Sequence, residues 1–530
     1  MKPLVQDTMS MILHKMADQY GSRTALSYGN IKWTYKELDV ITEEIAAGLN
    51  LQGIQKGDHV GILSENTPNA IFSFLAIEKM GAVACLFNTA LNADELHRLF
   101  HLADLKYLMI GGAYKQNDFA FTVQKATKNY LLQKIFDISF EPREGYISFD
   151  DLRNMGAGRE DSYQTGQLPI SCQDNGMILF SSGTTGQMPK AIVSSYFNLI
   201  NGGIQKAAAQ NITEQDVVCC ALQMPHIFCI DVNIMAAFTS GAQLAMPVDL
   251  HTKSILETIE KEHCTVLSCI PCMFWAMMER NDFYTYNLSS LRTGIVGGAY
   301  CSTEQFINIE KNFGLTLLPG LGQTEATAGV AIADISDSLE VRSTTLGHFV
   351  SYSEGKIVDM KTGLEAEQGQ VGEIYMKSPL LMTGYYKRPD LTKEVIDEDG
   401  WLHTGDLAWQ DEHGYLHYAG RVKELINRGG EKINPTEVEN VINQLQEVIS
   451  CKVIGVPDYV YGEAVCACII WKKGHVMQQK EIYHYLEQKM APFKIPKYFV
   501  YLQSFPTNAN GKIKNSKLRE MALKYIQDAG

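Results

Sequence analysis

The stretch Phe180-Ser181-Ser182-Gly183-Thr184-Thr185-Gly186-Gln187-Met188-Pro189-Lys190 gathers hydroxyls, two glycines and a lysine in one short run. It follows an apolar segment, 177–180, which reads as a short buried strand. A loop of this kind can turn backbone N–H groups and hydroxyls toward one point, and its glycines let that backbone approach a guest closely. The guest that suits it is a phosphate, with Lys190 as the point charge that fixes it. The spacing from Gly183 to Lys190 does not fit G-x-x-x-x-G-K-[ST], so this is not the common P-loop. Taken by composition alone, the run also reads as a surface turn.

Further stretches carry chemistry downstream. Gly297-Gly298-Ala299 and Gly320-Leu321-Gly322-Gln323-Thr324-Glu325 each follow an apolar run. A hard oxygen ligand such as Glu325 beside a phosphate cradle is what magnesium requires. Gly400-Trp401-Leu402-His403-Thr404-Gly405-Asp406 ends on a carboxylate, which can accept two O–H donors at once. Gly420-Arg421-Val422-Lys423-Glu424 leads into Asn427-Arg428-Gly429-Gly430-Glu431-Lys432, and Pro506-Thr507-Asn508-Ala509-Asn510-Gly511-Lys512-Ile513 closes the series. Met224-Pro225-His226-Ile227-Phe228 supplies one histidine in an apolar setting, with Asp231 just beyond it.

In this order the runs resemble the motifs of the adenylate-forming superfamily: acyl- and aryl-CoA synthetases, peptide-synthetase adenylation domains and luciferases. The first is similar to the phosphate loop [ST]-S-G-[ST]-T-G-x-P-K-G, with one extra residue before Pro189 and Ala191 where glycine is usual. The resemblance implies that Ser181, Ser182, Gly183, Thr184, Thr185, Gly186 and Lys190 hold the ATP phosphates. It implies adenine against Gly298 and Ala299, and nucleotide contacts from Gly320, Gly322, Gln323 and Thr324. Thr324 would lie near the α-phosphate, and Thr184 and Glu325 would hold Mg²⁺. Leu321 replaces the usual aromatic residue and Tyr300 the usual proline. Asp406 would hold the ribose hydroxyls, Arg421 would contact ribose or phosphate, and Lys423 occupies the hinge position. Gly429 and Gly430 resemble the turn that lines the pantetheine tunnel of CoA ligases. Lys512 would reach the carboxylate and α-phosphate during adenylation; Asn508 and Asn515 stand where threonine and arginine are common. His226, Ile227, Phe228, Gly297 and Gly322 would line the acyl pocket. Asp231 is read as the N-cap of a helix over 232–238 rather than as a charge in that pocket.

The implied chemistry is ATP-dependent activation of a small-molecule carboxylic acid to acyl-AMP with pyrophosphate release, then transfer to coenzyme A. The match is closest to AMP-forming acyl-CoA synthetases. The alternative acceptor is a separate carrier protein. A luciferase-type oxygenase and a non-catalytic nucleotide sensor fit less well, the sensor because Lys190, Glu325, Asp406 and Lys512 are all retained.

The elements that must position these residues follow from hydrophobic periodicity. Helices are expected over 35–51 and 69–80, and strands over 59–63 and 82–86, a βαβ rhythm that implies helix-covered parallel sheets. Strands are also expected over 217–222, 243–246, 265–270 and 293–296, with a polar loop over 156–175. From 345 to 420 short strands and Gly-rich turns suggest a β-rich subdomain, and 425–530 reads as a compact α+β unit. The fold class is therefore α/β: a large N-terminal domain over 1–420, a hinge at 421–424, and a small mobile C-terminal domain over 425–530. The site is expected in the cleft between them.

Composition fits this reading. The 530 residues are 45% hydrophobic and 20% charged, values of a globular protein with more than one domain. A net charge of −14 argues against nucleic-acid binding. The charge is uneven: residues 421–530 hold 16 Lys and Arg against 11 Asp and Glu. The twelve cysteines form no disulfide-like framework, and Cys269-x-x-Cys272 is read as structural thiols rather than a zinc site. No apolar run approaches a membrane span, and neither terminus carries an address signal, so a cytoplasmic protein is expected.

Overall fold

The computed structural model describes residues 3–114, 117–159, 169–181, 189–429, 431–507 and 513–529. They form two compact units, each drawn from separated parts of the chain. The first takes in residues up to 181, 189–354 and 377–402; the second, 355–376 and 403–529.

The first unit is built on two large sheets. One runs through Gly384–Tyr385, Ala191–Ser195, Asn175–Phe180, Val83–Leu86, His59–Leu63, Tyr107–Ile110, Lys134–Asp137 and Ile147–Ser148. Its central strands are parallel and buried along their whole length, as the unbroken apolar run 59–63 requires when helices cover both faces. The other sheet places Val217–Cys219, Val266–Leu267, Thr293–Gly297 and Thr316–Leu321 side by side and parallel. Helix Tyr35–Leu51 begins at a capping box, with the Thr34 side chain accepting from Glu37 N and the Glu37 carboxylate accepting from Thr34 N. Helix Pro68–Lys79 is buried on nearly every face, which is why its sequence shows so little polar periodicity.

Where expectation and structure differ, local chemistry gives the reason. The strand expected over 265–270 is continuous only at Val266–Leu267, with a single further bridge from Cys269 to Val296, because Pro271 starts the helix Pro271–Met278. Over 217–222 pairing stops at Cys219, before the turn that leads to Pro225. The helix expected over 232–238 is instead a π-helix, Ile230–Met235, continued by the α-helix Ala236–Ser240. Asp231 lies inside the π-helix and does not cap it. Cys269 is buried while Cys272 is exposed, so only the first is a core thiol.

The second unit contains a four-stranded sheet, Glu354–Val358, Gly372–Lys377, Leu402–Gln410 and Leu416–Arg421, whose last two strands are antiparallel. Beside it a five-stranded sheet centres on the long pair Val448–Asp458 and Gly462–Trp471, with helices Pro435–Ile442 and Gln479–Glu487. The chain is thus the α/β protein expected, with sheets and helices in its large part and an α+β C-terminal part. No described helix is long and apolar enough to cross a membrane.

Candidate active site

Four parallel strands of the first unit deliver their C-terminal ends to one place, the usual position of a binding site in an α/β sheet. The strands Thr293–Gly297 and Thr316–Leu321 run in register, with Gly297 opposite Gly320. A side chain at Gly297 would meet the Gly320 carbonyl at 2.8 Å and the Phe228 ring at 3.8 Å. Gly298 adopts φ +75°, and its Cβ position lies 3.9 Å from the same ring. Phe228 therefore lies against the glycine pair, and Ala299 and Tyr300 beyond it are exposed. Three expected elements meet here: the Gly-Gly-Ala turn, the Gly320–Glu325 run and the His226 segment.

His226 is half-buried in extended backbone just before the short helix Ile227–Cys229. Ile227 enters the main core, whereas Phe228 also packs against a separate apolar cluster of Val232, Ile295, Leu318, Ala328, Ile332 and Ile335. The helix-like path carries Phe228 and Val232 to one face, as a spacing of four requires.

The Gly320–Glu325 run continues into a tightly closed loop. Ala328 N donates to Gln323 O, Val330 N to Leu321 O, and Met382 N to Glu325 O. Any side chain at Gly322 would strike the backbone of Ala328. Thr327 and Ala328 both hold left-handed backbone, at φ 48° and 56°. The Thr327 hydroxyl donates to Leu380 O at 2.5 Å. Thr324 and Glu325 sit in a 3-10 turn at the head of this loop, half-buried.

The phosphate-loop hairpin is described at its base. Phe180 pairs with Ala191, Ser181 N donates to Lys190 O, and Lys190 N donates to Ser181 Oγ. Ser182, Gly183, Thr184, Thr185 and Gly186 lie outside the described residues. The Lys190 ammonium stands 4.3 Å over the Tyr385 ring, a contact worth about 0.5–2 kcal/mol. The Tyr385 hydroxyl in turn donates to Glu325 Oε1 at 2.8 Å. Burial, then the Glu325 charge, pushes this phenol well above its ordinary range, so it stays a donor. Tyr385 was not among the expected residues. Its only signal is the Gly384-Tyr385-Tyr386 triplet, whose tyrosines must point to opposite faces of a strand. Tyr386 reaches Asp104 and Tyr385 reaches Glu325, sixty positions away, which no local pattern encodes. One hydrogen bond leaves the Glu325 carboxylate with acceptor capacity for a hard cation.

In the second unit, Asp406 and Arg421 face each other across antiparallel strands, with Arg421 Nε donating to Asp406 Oδ1 at 2.8 Å. Asp406 is only 1% exposed, and its charge raises the Arg421 guanidinium further above its ordinary value. Gly405, at φ +72°, makes the turn that presents Asp406, and its N–H is taken by Glu373 Oε1. Lys423 is exposed in the 3-10 turn Val422–Glu424 that follows. Gly429, at φ +61°, turns the hairpin Ile426–Arg428 to Glu431–Ile433 and donates to Tyr461 O; Gly430 lies outside the described residues. Lys512 also lies outside them. Its loop is pinned by the bridge Thr507–Ile513 and by Lys514 N donating to Pro506 O. Asn515, where arginine is common, donates to Glu424 Oε1 at 3.2 Å and so ties that loop's base to the 3-10 turn of Lys423.

Comparison with known proteins accounts for these motifs. The AMP-binding enzyme profile matches residues 13–386, and the AMP-binding enzyme C-terminal domain profile matches 437–512. The protein YngI of Bacillus subtilis (strain 168) is 33% identical over 544 residues, covering 99% of both chains. The mitochondrial medium-chain acyl-CoA ligase ACSF2 of Rattus norvegicus is 29% identical over 99% of this chain and 89% of its own. Among solved structures, ATP-bound MatB from Rhodopseudomonas palustris superposes with a TM-score of 0.85 at 25% identity, over 97% of this chain and 99% of that one. The anthranilate CoA ligase AuaEII, in complex with anthranoyl-AMP, shares the fold with a TM-score of 0.87 at 24% identity, over 100% and 99%. The chain belongs to the AMP-binding enzyme family.

Proposed function

We propose that this chain is an ATP-dependent, AMP-forming acyl-CoA synthetase whose acid is aliphatic and of medium chain length. A carboxylate oxygen attacks the α-phosphorus of ATP, the bond to the β-phosphate oxygen breaks, and acyl-AMP and pyrophosphate result. The thiol of coenzyme A then attacks the acyl carbon, loses its proton, and expels AMP.

The observation that carries the choice of acid is the apolar cluster around Phe228, Val232, Ile295, Leu318 and Ala328, next to the glycine pair. Methylene groups gain about 0.8 kcal/mol each on such burial, which rewards an alkyl chain. Asp231, the nearby carboxylate, lies instead against Gly202 and Thr327. The medium-chain name of the ACSF2 relatives points the same way.

In this reading His226 and Phe228 flank the reacting carboxylate. Ser181 and Lys190 hold phosphate with residues 182–186. Thr324 orients the α-phosphate, and Asp406 with Arg421 takes the ribose. Glu325, with Thr184, would hold Mg²⁺, which when bound supplies neutralising charge across the triphosphate. Tyr385 fixes the Glu325 carboxylate while leaving acceptor sites open. Lys512 steadies the charge that develops as the acyl oxygen attacks. Lys423 is the pivot about which residues 425–530 turn, withdrawing Lys512 and presenting Gly429–Gly430 to the incoming thiol. Twelve free cysteines suit a reducing compartment, with the cytoplasm as our reading.

Pyrophosphate release from ATP across acids from acetate to palmitate and benzoate, with and without coenzyme A, tests the reading. Release that peaks at a medium-chain acid, above acetate and above palmitate, and yields an acyl-CoA thioester is expected. A benzoate optimum would overturn the choice of acid. Acyl-AMP that accumulates whether or not coenzyme A is present would transfer the second step to a carrier protein.

A further inference from the structure

The helix Tyr196–Ala209 presents one face to both halves of the candidate site. Gly202 is that face's closest point: a Cβ there would meet Thr327 Cγ2 at 2.6 Å and Asp231 Oδ2 at 3.1 Å. Next to it, Gly203 meets the Met235 backbone of the π-helix. One turn further on, and on the same side, come Gln205 and Lys206. Lys206 is 2% exposed; its ammonium donates to Gln205 Oε1 at 2.5 Å and leaves no room for a side chain at Gly329. The Gln205 amide donates to Ser351 O.

Asp231 is fully buried, and neither of its carboxylate oxygens has a hydrogen-bond partner among the described residues. An unpaired buried carboxylate is expensive; among the described residues no cation lies within ion-pair distance of it, and Lys206, one turn along the helix from the Gly202 contact, acts on it through space. Burial drives Asp231 up and Lys206 down, and the opposite charge of the other resists both changes. Asp231 belongs to the π-helix that follows His226 and Phe228, while Lys206 abuts the loop that carries Thr324 and Glu325. A π-helix is an uncommon conformation, frequent at functional sites.

We propose that Lys206 and Asp231 are positioning residues that tie the acyl segment to the nucleotide loop through the helix Tyr196–Ala209, so that occupancy of one favours occupancy of the other. This rests on the acid-activating reading above. Neither residue touches the reacting atoms. Their contribution is a coupling between two substrates, and such coupling is reciprocal.

The test compares wild type with Asp231→Asn, Lys206→Met and the double variant, using octanoate as the acid. Thermal midpoints, ATP affinity without acid, and KM for ATP and for octanoate in pyrophosphate exchange are measured. Each single variant is expected to lower the thermal midpoint, since it leaves one buried partner alone. The double variant should recover the midpoint and bind ATP alone as wild type does. Its KM for ATP at saturating octanoate, and for octanoate at saturating ATP, should both stay raised about tenfold or more. Recovery of both KM values together with the midpoint would show a structural role only and overturn the proposal. Loss of ATP affinity in the absence of acid would also overturn it, placing the pair under the nucleotide loop alone. Should the double variant not fold, Gly202→Ala wedges the same contact and should raise both KM values; unchanged values would count against us. A wild-type chain that exchanges with no acid in the panel overturns the acid-activating reading and this inference with it. Exchange by wild type with unchanged KM values in the variants overturns only the inference.

Discussion

Left-handed backbone occurs at the candidate site of each unit, but the two units accommodate it differently. In the first, besides Gly298, the positions are Thr327 and Ala328, where a side chain makes that conformation cost about 1–2 kcal/mol per residue. It persists because the loop is closed by Ala328 to Gln323, by Val330 to Leu321 and by the Thr327 hydroxyl to Leu380. In the second unit the corresponding turns fall on Gly405, Gly420 and Gly429, which adopt them freely. The first unit holds a fixed geometry around Thr324 and Glu325. The second presents Asp406, Lys423 and Gly429 next to turns whose glycines take that conformation without strain.

The largest expected effect tests the second unit's share of the chemistry. Lys512→Ala should cut acid-dependent pyrophosphate release about 10²–10³-fold, the usual loss for one preorganised charge, while ATP still binds by calorimetry. Unchanged release would leave the first unit sufficient for adenylation by itself. Next comes the fixed geometry: Tyr385→Phe removes the donor to Glu325 and keeps the ring under Lys190. A hydrogen bond to a charged group is worth about 1.5–3 kcal/mol, so kcat/KM for ATP should fall about tenfold or more. A change of less than twofold would mean that Glu325 needs no fixing.

Smaller effects sharpen the backbone contrast directly. Gly405→Ala meets no atom within 4 Å, so its cost is conformational alone, about 1–2 kcal/mol by denaturant unfolding. Ala328→Gly should instead be neutral or stabilising by about 0.5 kcal/mol, because relief of strain is offset by unfolded-state entropy. Equal and opposite changes would contradict the idea that packing holds the first loop. The least effect is on pH. In the first unit, Glu78 is fully buried, both oxygens lack hydrogen-bond partners among the described residues, and burial raises its pKa well above 4.5. Its protonated form favours folding, so stability should fall as pH climbs from 4.5 toward the folded-state value, and Glu78→Met should flatten that slope. In the second unit, the Lys497 hydrogen bond lowers Asp458 to about 2. That contribution is present above 3.8 and lost as pH falls through about 2; Lys497→Ala should reduce it, leaving the part held by the Val460 and Tyr461 N–H groups.

Much of this was legible in the sequence, and what was not has a physical cause. The helix Tyr35–Leu51 and the strands His59–Leu63 and Gln243–Met246 match the expected limits, because caps and unbroken apolar runs are local signals. The glycines at 297, 298, 320 and 322 were legible as parts of motifs, and the folded chain adds that a side chain at 297 or 322 would strike backbone and one at 320 the Ile295 side chain. The π-helix at Ile230–Met235 was not readable, since periodicity near 3.6 does not separate it from an ordinary helix, and Asp231 was accordingly misread as a cap. Tyr385 and Lys206 act on residues brought near only by the folded sheets.

The interleaving of the two units has a consequence for synthesis on the ribosome. Strand Gly384–Tyr385 pairs with Ala191–Ser195 and completes an edge of the first unit's sheet, yet it emerges only after residues 355–376, which belong elsewhere. Until then Ala191–Ser195, buried at every position in the finished protein, is an open apolar edge able to pair with another chain. Nascent or truncated chains that stop between 354 and 384 should therefore aggregate, while chains extended past 395 should not. The window of greatest exposure is about thirty residues of translation, a few seconds at ordinary elongation rates.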